Sequence, residues 1–547
     1  MSRVFANFCA LKFSAVAVWA LIATLSFSGC RPRETDAAAA TRTGTLLVGN
    51  GAEPGSLDPH FASILTDQII INTLFEGLTL LDERTTEPLP AAAESWTTTP
   101  DGLTWTFKLR ADLKWSNGEP LTAGDFLATW RRALNPKVAA ENAGYLYAIK
   151  NAEAYNAGQL TDASALGLAA PDDRTLVITL ARPTPYLPAL LSLPAWFPLN
   201  PRLLAKFNAL ESRNETWTRP EHFVGNGAFT LRTWTPNARI TLAKNSHHRD
   251  AATNQLNEIV FFPIEKPDDE ERNFRAGQLH VTFNLPVTKI ASWRARDAAQ
   301  LRVDPTLQSN FLRFNTTRAP FTDARVRRAL SLAIDRTALA DSVLQGSRAA
   351  ATALTPPNTG SYTARASIAT DLASAKKLLA DAGFPDGAGL PPIELQCRND
   401  EIMPRIAEAL QAMWQRDLGV RVTLVQVEQK TWIQNQQSLN YGISTAAWTA
   451  DFPDASNFLG LFTSDSSYDW TGWKNSTYDR LVRDADLARD PSQRAELLQQ
   501  AETLLLTEAP IAPLYYGAQT YLIAPSVRGW DPAPLMFRRF QKVSLQP

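Results

Sequence analysis

The sequence predicts an α/β protein of about three domains, with room for a cleft between lobes. Three observations predict it. A chain of 547 residues is longer than one hydrophobic core usually organises, since domains settle at roughly 100–200 residues. Strand-like alternation and helix-like spacing recur together along the chain instead of segregating. The clearest instance is strand Ile393–Gln396, helix Ile402–Leu418 closed by Gly419, and strand Val420–Val427, where a crossover helix between two strands implies parallel pairing.

Composition removes several functions. Hydrophobic residues make up 45% and charged residues 20%, and the net charge is −1, so nothing draws the chain broadly to nucleic acid or an anionic membrane. Fifteen Trp and 25 Phe are many, yet large apolar side chains mostly fill cores.

The N-terminus reads as an export signal. Arg3 and Lys12 precede an apolar run, Phe13–Ser28, that ends in Ser28–Gly29–Cys30; residues 1–30 therefore read as a lipoprotein-type signal peptide, with cleavage expected ahead of Cys30. Small residues before a cysteine suggest lipoprotein processing, with Cys30 as the lipidated N-terminus. Phe27, where such sites usually carry Leu, leaves ordinary cleavage and a free soluble protein as the alternative. Residues 31–45, Ala, Thr and charge without periodicity, read as a flexible linker. The remaining cysteines are Cys9 in the leader and Cys397, so with Cys30 lipidated no disulfide is available.

Beyond the linker, Thr45–Val48 is a short strand and Thr66–Leu74 a helix. Leu89–Leu134 is the most legible stretch. Leu103, Trp105, Phe107 and Leu109 alternate with polar residues, the period of a half-buried strand. Asn117–Gly118 then supplies a tight turn. Thr122 and Asp125 form a capping-box pattern ahead of Phe126, Leu127, Trp130, Ala133 and Leu134 on one helical face. A helix near Ala143–Ala157 and a strand at Thr175–Leu180 follow, and six prolines within Pro183–Pro201 break helix and ladder alike. Strands are expected at Phe229–Trp234, Arg239–Lys244, Glu258–Pro263 and Phe311–Asn315. Asp323 caps a helix expected to reach Ala340. Leu372–Gly383 and Ser492–Thr507, the latter opened by Pro491, are further helices, and Ile511–Tyr516 is a buried strand.

Little looks catalytic. No phosphate loop, Gly-x-Ser-x-Gly elbow or His-Glu-x-x-His helix is present. His247 and His248, adjacent in the chain, would point to opposite faces of a strand and cannot readily share a metal, so neither a metal nor a cofactor is expected. The sharper constellation is Ser444–Phe452, where Asp451 follows an uncharged, partly aromatic run. A buried carboxylate is costly without a cation or several donors, so Asp451 should lie exposed in a loop or face a cation. Small Ala446, Ala447 and Ala450 around Trp448 favour a strand edge open to an extended guest.

The run AAAESWTTTPDGLTWTFKLRADLKWSNGEPLTAGDFLATWRRAL resembles the signature segment of bacterial extracellular solute-binding proteins of family 5, the oligopeptide- and dipeptide-binding type. NGAEPGSLDPH, LFEGLTLLD, VGNGAFTLRTW, RAGQLHVTF, APFTDARVRRALSLAIDR, SAKKLLADAGF, AAWTADFPDASNFL and AETLLLTEAPIAPLYY resemble family segments in family order. The resemblance implies a two-lobed periplasmic-binding-protein-like fold of type II, cluster C, with an interlobe cleft. Its first domain would comprise 46–75, 201–307 and 517–547, its second 76–200 and its third 308–516.

It further implies an extended peptide paired with Ala447–Trp448–Thr449 and an ammonium on Asp451. Thr445 stands where the family carries an Arg for short-peptide carboxylates, and Met403 where a His serves longer ones. Arg398 and Arg405, nearby in sequence, are candidate replacements. Ser63 and Asn142 fall where the family uses Glu and Tyr near the ligand, and Asn284 is a further candidate contact. The expected protein is a non-catalytic, monomeric subunit of the cell envelope or periplasm. It is lipid-anchored to the membrane, binds peptide, and partners the permease and ATPase of an ABC transporter. The alternatives are another small ligand such as an opine, sugar or modified peptide, an envelope peptidase, or a docking signal to a sensor. Mass spectrometry of the mature protein is expected to show an acylated Cys30; an unmodified N-terminus at another residue would reject lipidation.

Overall fold

The computed structural model describes residues 34–546; the leader and Cys30 lie outside the described residues. The first element corrects the expected linker. Asp36–Thr43 is helix α1, capped by the Thr35 hydroxyl and stopped by Gly44 in the left-handed region. Four consecutive alanines favour helix, and docking decides the matter. The Leu47 N–H donates to His280 Nδ1 at 3.0 Å, leaving the ring's proton on Nε2, which lies 2.9 Å from Ala37 O and 3.0 Å from Thr41 Oγ1. Burial pushes this imidazole down to about 4, so it stays neutral and holds α1 in place.

Strand β1 (Thr45–Gly49) and helix α2 (Leu65–Leu74) come next. A separate antiparallel sheet of order β2-β3-β5-β4 then forms from β2 (Ala93–Thr98), β3 (Thr104–Leu109), β4 (Leu168–Asp172) and β5 (Thr175–Thr179), with helix α3 (Ala123–Leu134) against it. Trp105, Phe107 and Leu109 are buried, and Gly118 takes φ +85° in the turn. Asp125 accepts from the Thr122 N–H at 3.1 Å and from Trp115 Nε1 at 3.2 Å, so one carboxylate both caps α3 and fixes an aromatic beneath it. The helix expected near Ala143–Ala157 is broken into a 3-10 turn, Ala143–Leu146, and a short helix, Ala152–Asn156. Asn151 between them sits at φ +67°, which ends helical propagation.

Strands β6 (Phe229–Thr235), β7 (Arg239–Lys244) and β8 (Glu258–Phe262) return to β1 in the order β1-β8-β7-β6. Their core gathers Leu46, Ile70, Ile71 and Phe261 with Tyr521, Ile523 and Phe540 from the chain's far end. Arg132 of α3 joins the two sheets. Its guanidinium pairs with Asp58 at 2.7 Å, meets His60 Nδ1 at 2.6 Å and donates to Ala209 O at 2.6 Å, with the Arg132 and Asp58 side chains wholly inaccessible. Burial, and then Arg132, push His60 down to about 3, so the ring is a neutral acceptor.

The last sheet is built from β9 (Leu301–Phe314), β10 (Ile393–Arg398), β11 (Val422–Val427), β12 (Ile443–Thr449) and β13 (Ile511–Leu522). Their order is β13-β9-β12-β10-β11, with the two-residue strand Ala349–Ala350 outside β13. The pairs β10–β11 and β10–β12 are parallel, as the crossover through helix α6 (Met403–Leu418) required. Helix α4 spans only Ala324–Leu332, short of the expected Ala340, and helix α5 (Leu372–Asp381) follows it. Buried Arg336 explains the stop of α4: its guanidinium takes Ser331 O and Ile334 O, carbonyls that a continuing helix would need, reaches Pro513 O of β13 as well, and Asp335 caps a fresh turn at Ala338.

Strands β9 and β13 are long because they run from one lobe into the other. Their antiparallel register holds from Leu301↔Leu522 to Pro305↔Ala518 and resumes at Ser309↔Tyr516. Thr306–Gln308 therefore bulge opposite Gly517. A Cβ on Gly517 would lie 2.6 Å from both Gln308 Cβ and Thr306 Oγ1, so glycine is required at this pinch.

Removing one member of the buried Arg132–Asp58 pair leaves an uncompensated charge. Arg132→Met is expected to cost about 3–5 kcal/mol in urea unfolding, and adding Asp58→Asn is expected to recover part of that loss.

Candidate ligand-binding cleft

Strand β12 is paired unevenly. On one side β9 pairs it from Ile443 to Thr449. On the other, β10 pairs only Ile443 and Ser444, so from Thr445 to Thr449 that edge has no strand against it among the described residues. Unpaired strand edges offer a row of backbone donors and acceptors. A cavity of about 950 Å³ lies at its end, between Tyr145 and Tyr186 on one wall and Trp448, Asp451 and Phe452 on the other. The walls belong to different lobes, and they touch. Tyr186 and Phe452 stack with centroids 4.8 Å apart, and Phe452 packs against the core of the β2–β5 lobe.

Asp451 is the chemical centre of this contact. Its Oδ1 accepts from the Tyr145 hydroxyl at 2.9 Å across 306 residues of sequence, and Asn457 Nδ2 reaches Oδ2 at 3.5 Å. The acid is thus neither exposed in a loop nor facing a cation, as the sequence led us to expect; it is half-buried between neutral donors. Burial holds its carboxyl above the usual range, Tyr145 and Asn457 pull it partly back, and no cation acts on it. Burial and the neighbouring Asp451 push the Tyr145 phenol up, so it remains a donor. Five carboxylates and two guanidiniums line the cavity, a balance that suits a ligand with a positive end.

The cavity wall includes the candidates Trp448, Asp451 and Asn142, with Ala447 exposed and Thr449 half-buried on the adjoining edge. Thr449 Oγ1 also accepts from Gln308 Nε2 at 2.8 Å. The Asn142 amide also donates to Pro59 O at 3.0 Å and Ala62 O at 2.8 Å, tying the loop before α2 to the 3-10 turn Ala143–Leu146, and Tyr145, three residues on, is the tyrosine that reaches the acid.

The other candidates lie outside the cavity lining. Thr445 is fully buried opposite Leu312, its hydroxyl without a partner among the described residues. Ser63 and Asn284 are exposed, and the Asn284 N–H donates to Glu270 at 3.1 Å. Met403 opens α6, half-buried, with its N–H on Asp400 at 2.7 Å, and Arg405 is exposed beside it. Arg398 pairs with Asp400 at 2.7 Å. Cys397 is free and buried.

Tyr145, Tyr186 and Asn457 were missed as site residues. Asn457 had a local signal, six residues past Asp451 in the quoted AAWTADFPDASNFL run, whereas the tyrosines come from a distant stretch and had none.

Residues 87–470 match the family described as bacterial extracellular solute-binding proteins, family 5. The chain belongs to that family. Among its relatives it is 37% identical over 489 residues to the probable deoxycholate-binding periplasmic protein YgiS of Escherichia coli, covering 88% of this chain and 89% of that one. It is 34% identical over 499 residues to the periplasmic oligopeptide-binding protein OppA of Salmonella typhimurium, covering 89% of each. Family 5 structures share its shape. The unliganded open form of the murein tripeptide-binding protein MppA superposes with a TM-score of 0.81 at 31% identity, over 92% of this chain and 97% of that one. Haemophilus influenzae OppA in complex with RPPGFSPFR gives 0.72 at 30%, over 92% and 99%. The two-lobed periplasmic-binding-protein fold is thereby borne out. No helix among the described residues is long and apolar enough to cross a membrane.

A carboxyl whose folded-state pKa is raised adds stability that is present at low pH and lost as pH rises through the folded value. Asp451→Asn should therefore raise the unfolding temperature of the ligand-free protein at pH 7, with the gap from wild type closing as pH falls. Tyr145→Phe should lower it at pH 7, the lost hydrogen bond to a charged group costing about 1.5–3 kcal/mol of stability. Scanning calorimetry across pH checks both signs.

Proposed function

We propose that this chain is the extracytoplasmic substrate-binding subunit of a peptide ABC importer. It takes an oligopeptide in extended form along the free edge of β12, seats the peptide's ammonium on Asp451, and delivers the peptide to a membrane permease and its ATPase. One observation carries the reading: an unpaired strand edge that ends on a buried carboxylate served only by neutral donors. Family membership and relatives described as oligopeptide-binding support it.

Backbone pairing reads any sequence at a net ~1 kcal/mol per hydrogen bond, and a charge-assisted pair contributes about twice that while fixing register. Selectivity then falls on the peptide's ends. With Thr445 neutral and buried, Arg182 and Arg483, the cavity's two guanidiniums, are the cations placed to meet a carboxylate.

The reading includes acylation of Cys30, the absence of catalysis, a monomeric state, and the domain division 46–75, 76–200, 201–307, 308–516 and 517–547. The break in the β9–β13 ladder at Thr306–Gln308 and Gly517 supports the borders at 307 and 517.

A second reading comes from the YgiS relative, described as probably deoxycholate-binding and 37% identical: an amphipathic anion in the same cleft. The excess of carboxylates on the lining disfavours it. Titration calorimetry with short peptides, their N-acetylated forms and deoxycholate separates the two. Peptides with a free amine are expected to bind. Acetylation or Asp451→Ala should weaken them by about 1–3 kcal/mol, several-fold to hundredfold. Because a proton competes with the ammonium for a carboxyl held above its usual range, peptide affinity should fall as pH is lowered, at higher pH than an ordinary aspartate would give. Deoxycholate binding with indifference to peptides would overturn the peptide reading.

A further inference from the structure

A second cavity, of about 560 Å³, sits where the β9–β13 ladder is broken. It shares no lining residue with the interlobe cavity. Thr306, Leu307, Gly517 and Ala518 of the two crossing strands form one side, and Val303, Tyr516 and the prolines 305, 356, 357, 532 and 534 make the surface largely apolar. Two guanidiniums reach it, and their states differ. Arg84 pairs with Asp531 at 2.6 Å. Arg348 has no carboxylate partner among the described residues: its Nη1 donates to Ser347 O at 2.7 Å and Thr520 Oγ1 at 2.9 Å. Burial pushes this guanidinium below its usual value, offset only in part by the Tyr515 phenol.

A cation without a counter-charge at the mouth of an apolar hollow defines its guest by complementarity. We propose that this hollow is a second binding site, for an amphipathic monocarboxylate whose apolar body packs on the proline and tyrosine walls and whose carboxylate pairs with Arg348. A guanidinium presents two parallel N–H donors to a carboxylate, and the contacts Arg348 now makes leave donors free for that pairing.

The position gives such a guest a consequence. Leu307 is held by Pro534 O at 2.9 Å and itself accepts from the Ala450 N–H at 2.8 Å, one residue from Asp451. A guest against Leu307 and Gly517 would pack on the outer face of the pinched bulge and stiffen the connection between lobes. It would therefore bias the closed-to-open equilibrium and change cleft affinity, with coupling that is reciprocal.

Decanoate is the probe, with decanol as the uncharged control, titrated into the full mature protein by calorimetry. Decanoate is expected to bind, and decanol at least tenfold more weakly. Arg348→Gln is expected to weaken decanoate tenfold or more, while Asp451→Ala changes it only through the coupling between the sites, by less than threefold. Ala349→Trp, at an exposed lining position, is expected to block binding by filling the mouth, which keeps the proposal testable should Arg348→Gln fail to fold. Equal binding of decanol, retention of decanoate in either pocket variant, or loss of decanoate in Asp451→Ala would overturn it. The last result would place the anion in the main cleft.

Discussion

The structure depends on a carboxylate that has been buried without a cation. Asp451 sits at the end of a strand edge, taken partly out of water and compensated only by a phenol and an amide. Neutral donors recover part of the desolvation cost of a charge, not all of it. The residual cost stays with the ligand-free protein, and a guest that brings a positive group, as proposed, would relieve it. Because Tyr145 comes from the opposite lobe, the acid also reports on closure: the same contact that partly solvates it draws the two walls together.

Such a site needs lobes that are rigid in themselves and free to move relative to each other. Rigidity comes from buried polar bolts. Arg132, Asp58 and His60 fasten α3 to the loop ahead of α2, and Arg336 ties α4 to the start of β13 through backbone carbonyls. The β9–β13 ladder loses register between Pro305 and Ser309 and shifts once more between Asn310 and Phe311. A continuous ladder of fourteen residues in β9 would couple the lobes as one sheet; three bulged residues opposite one glycine interrupt it at its middle.

Local order was legible in the sequence, and contact across the cleft was not. Trp105, Phe107 and Leu109 declared their strand by period alone, and Ile393–Val427 its parallel unit, because hydrophobic burial imposes those periods. Asp36–Thr43 was misread because its helix is confirmed by His280, more than two hundred residues away, and not by an apolar stripe of its own. The helix expected to reach Ala340 failed for a similar reason: the apolar stripe continues through Ala333 and Ile334, but Arg336 takes the carbonyls. Asp451 and Trp448 were found through composition and family resemblance together. Thr445 and Met403 were proposed from matched positions, Arg398 and Arg405 from nearness in sequence. A matched position carries a place in the chain but not the charge that the family keeps there: Thr445 is buried, and Met403, half-buried, opens the first turn of α6, outside the cavity lining.

The coupling between the edge and the acid rests on one amide. Asn457 Oδ1 accepts from the Trp448 indole at 2.8 Å and from the Asp451 N–H at 3.2 Å. Both partners are donors, so the oxygen must face them and the NH2 must face the Asp451 carboxylate; the flipped amide would set donor against donor. The side-chain orientation is therefore settled by the strand that precedes the acid. Trp448 and Asp451, both on the cavity wall, are held in one frame, so in the proposed mode a peptide paired with the backbone between Thr445 and Thr449 would arrive with its first residue aligned on the carboxylate. Specificity for a terminus, in a cleft that reads no side chain by backbone pairing, would follow from that fixed offset.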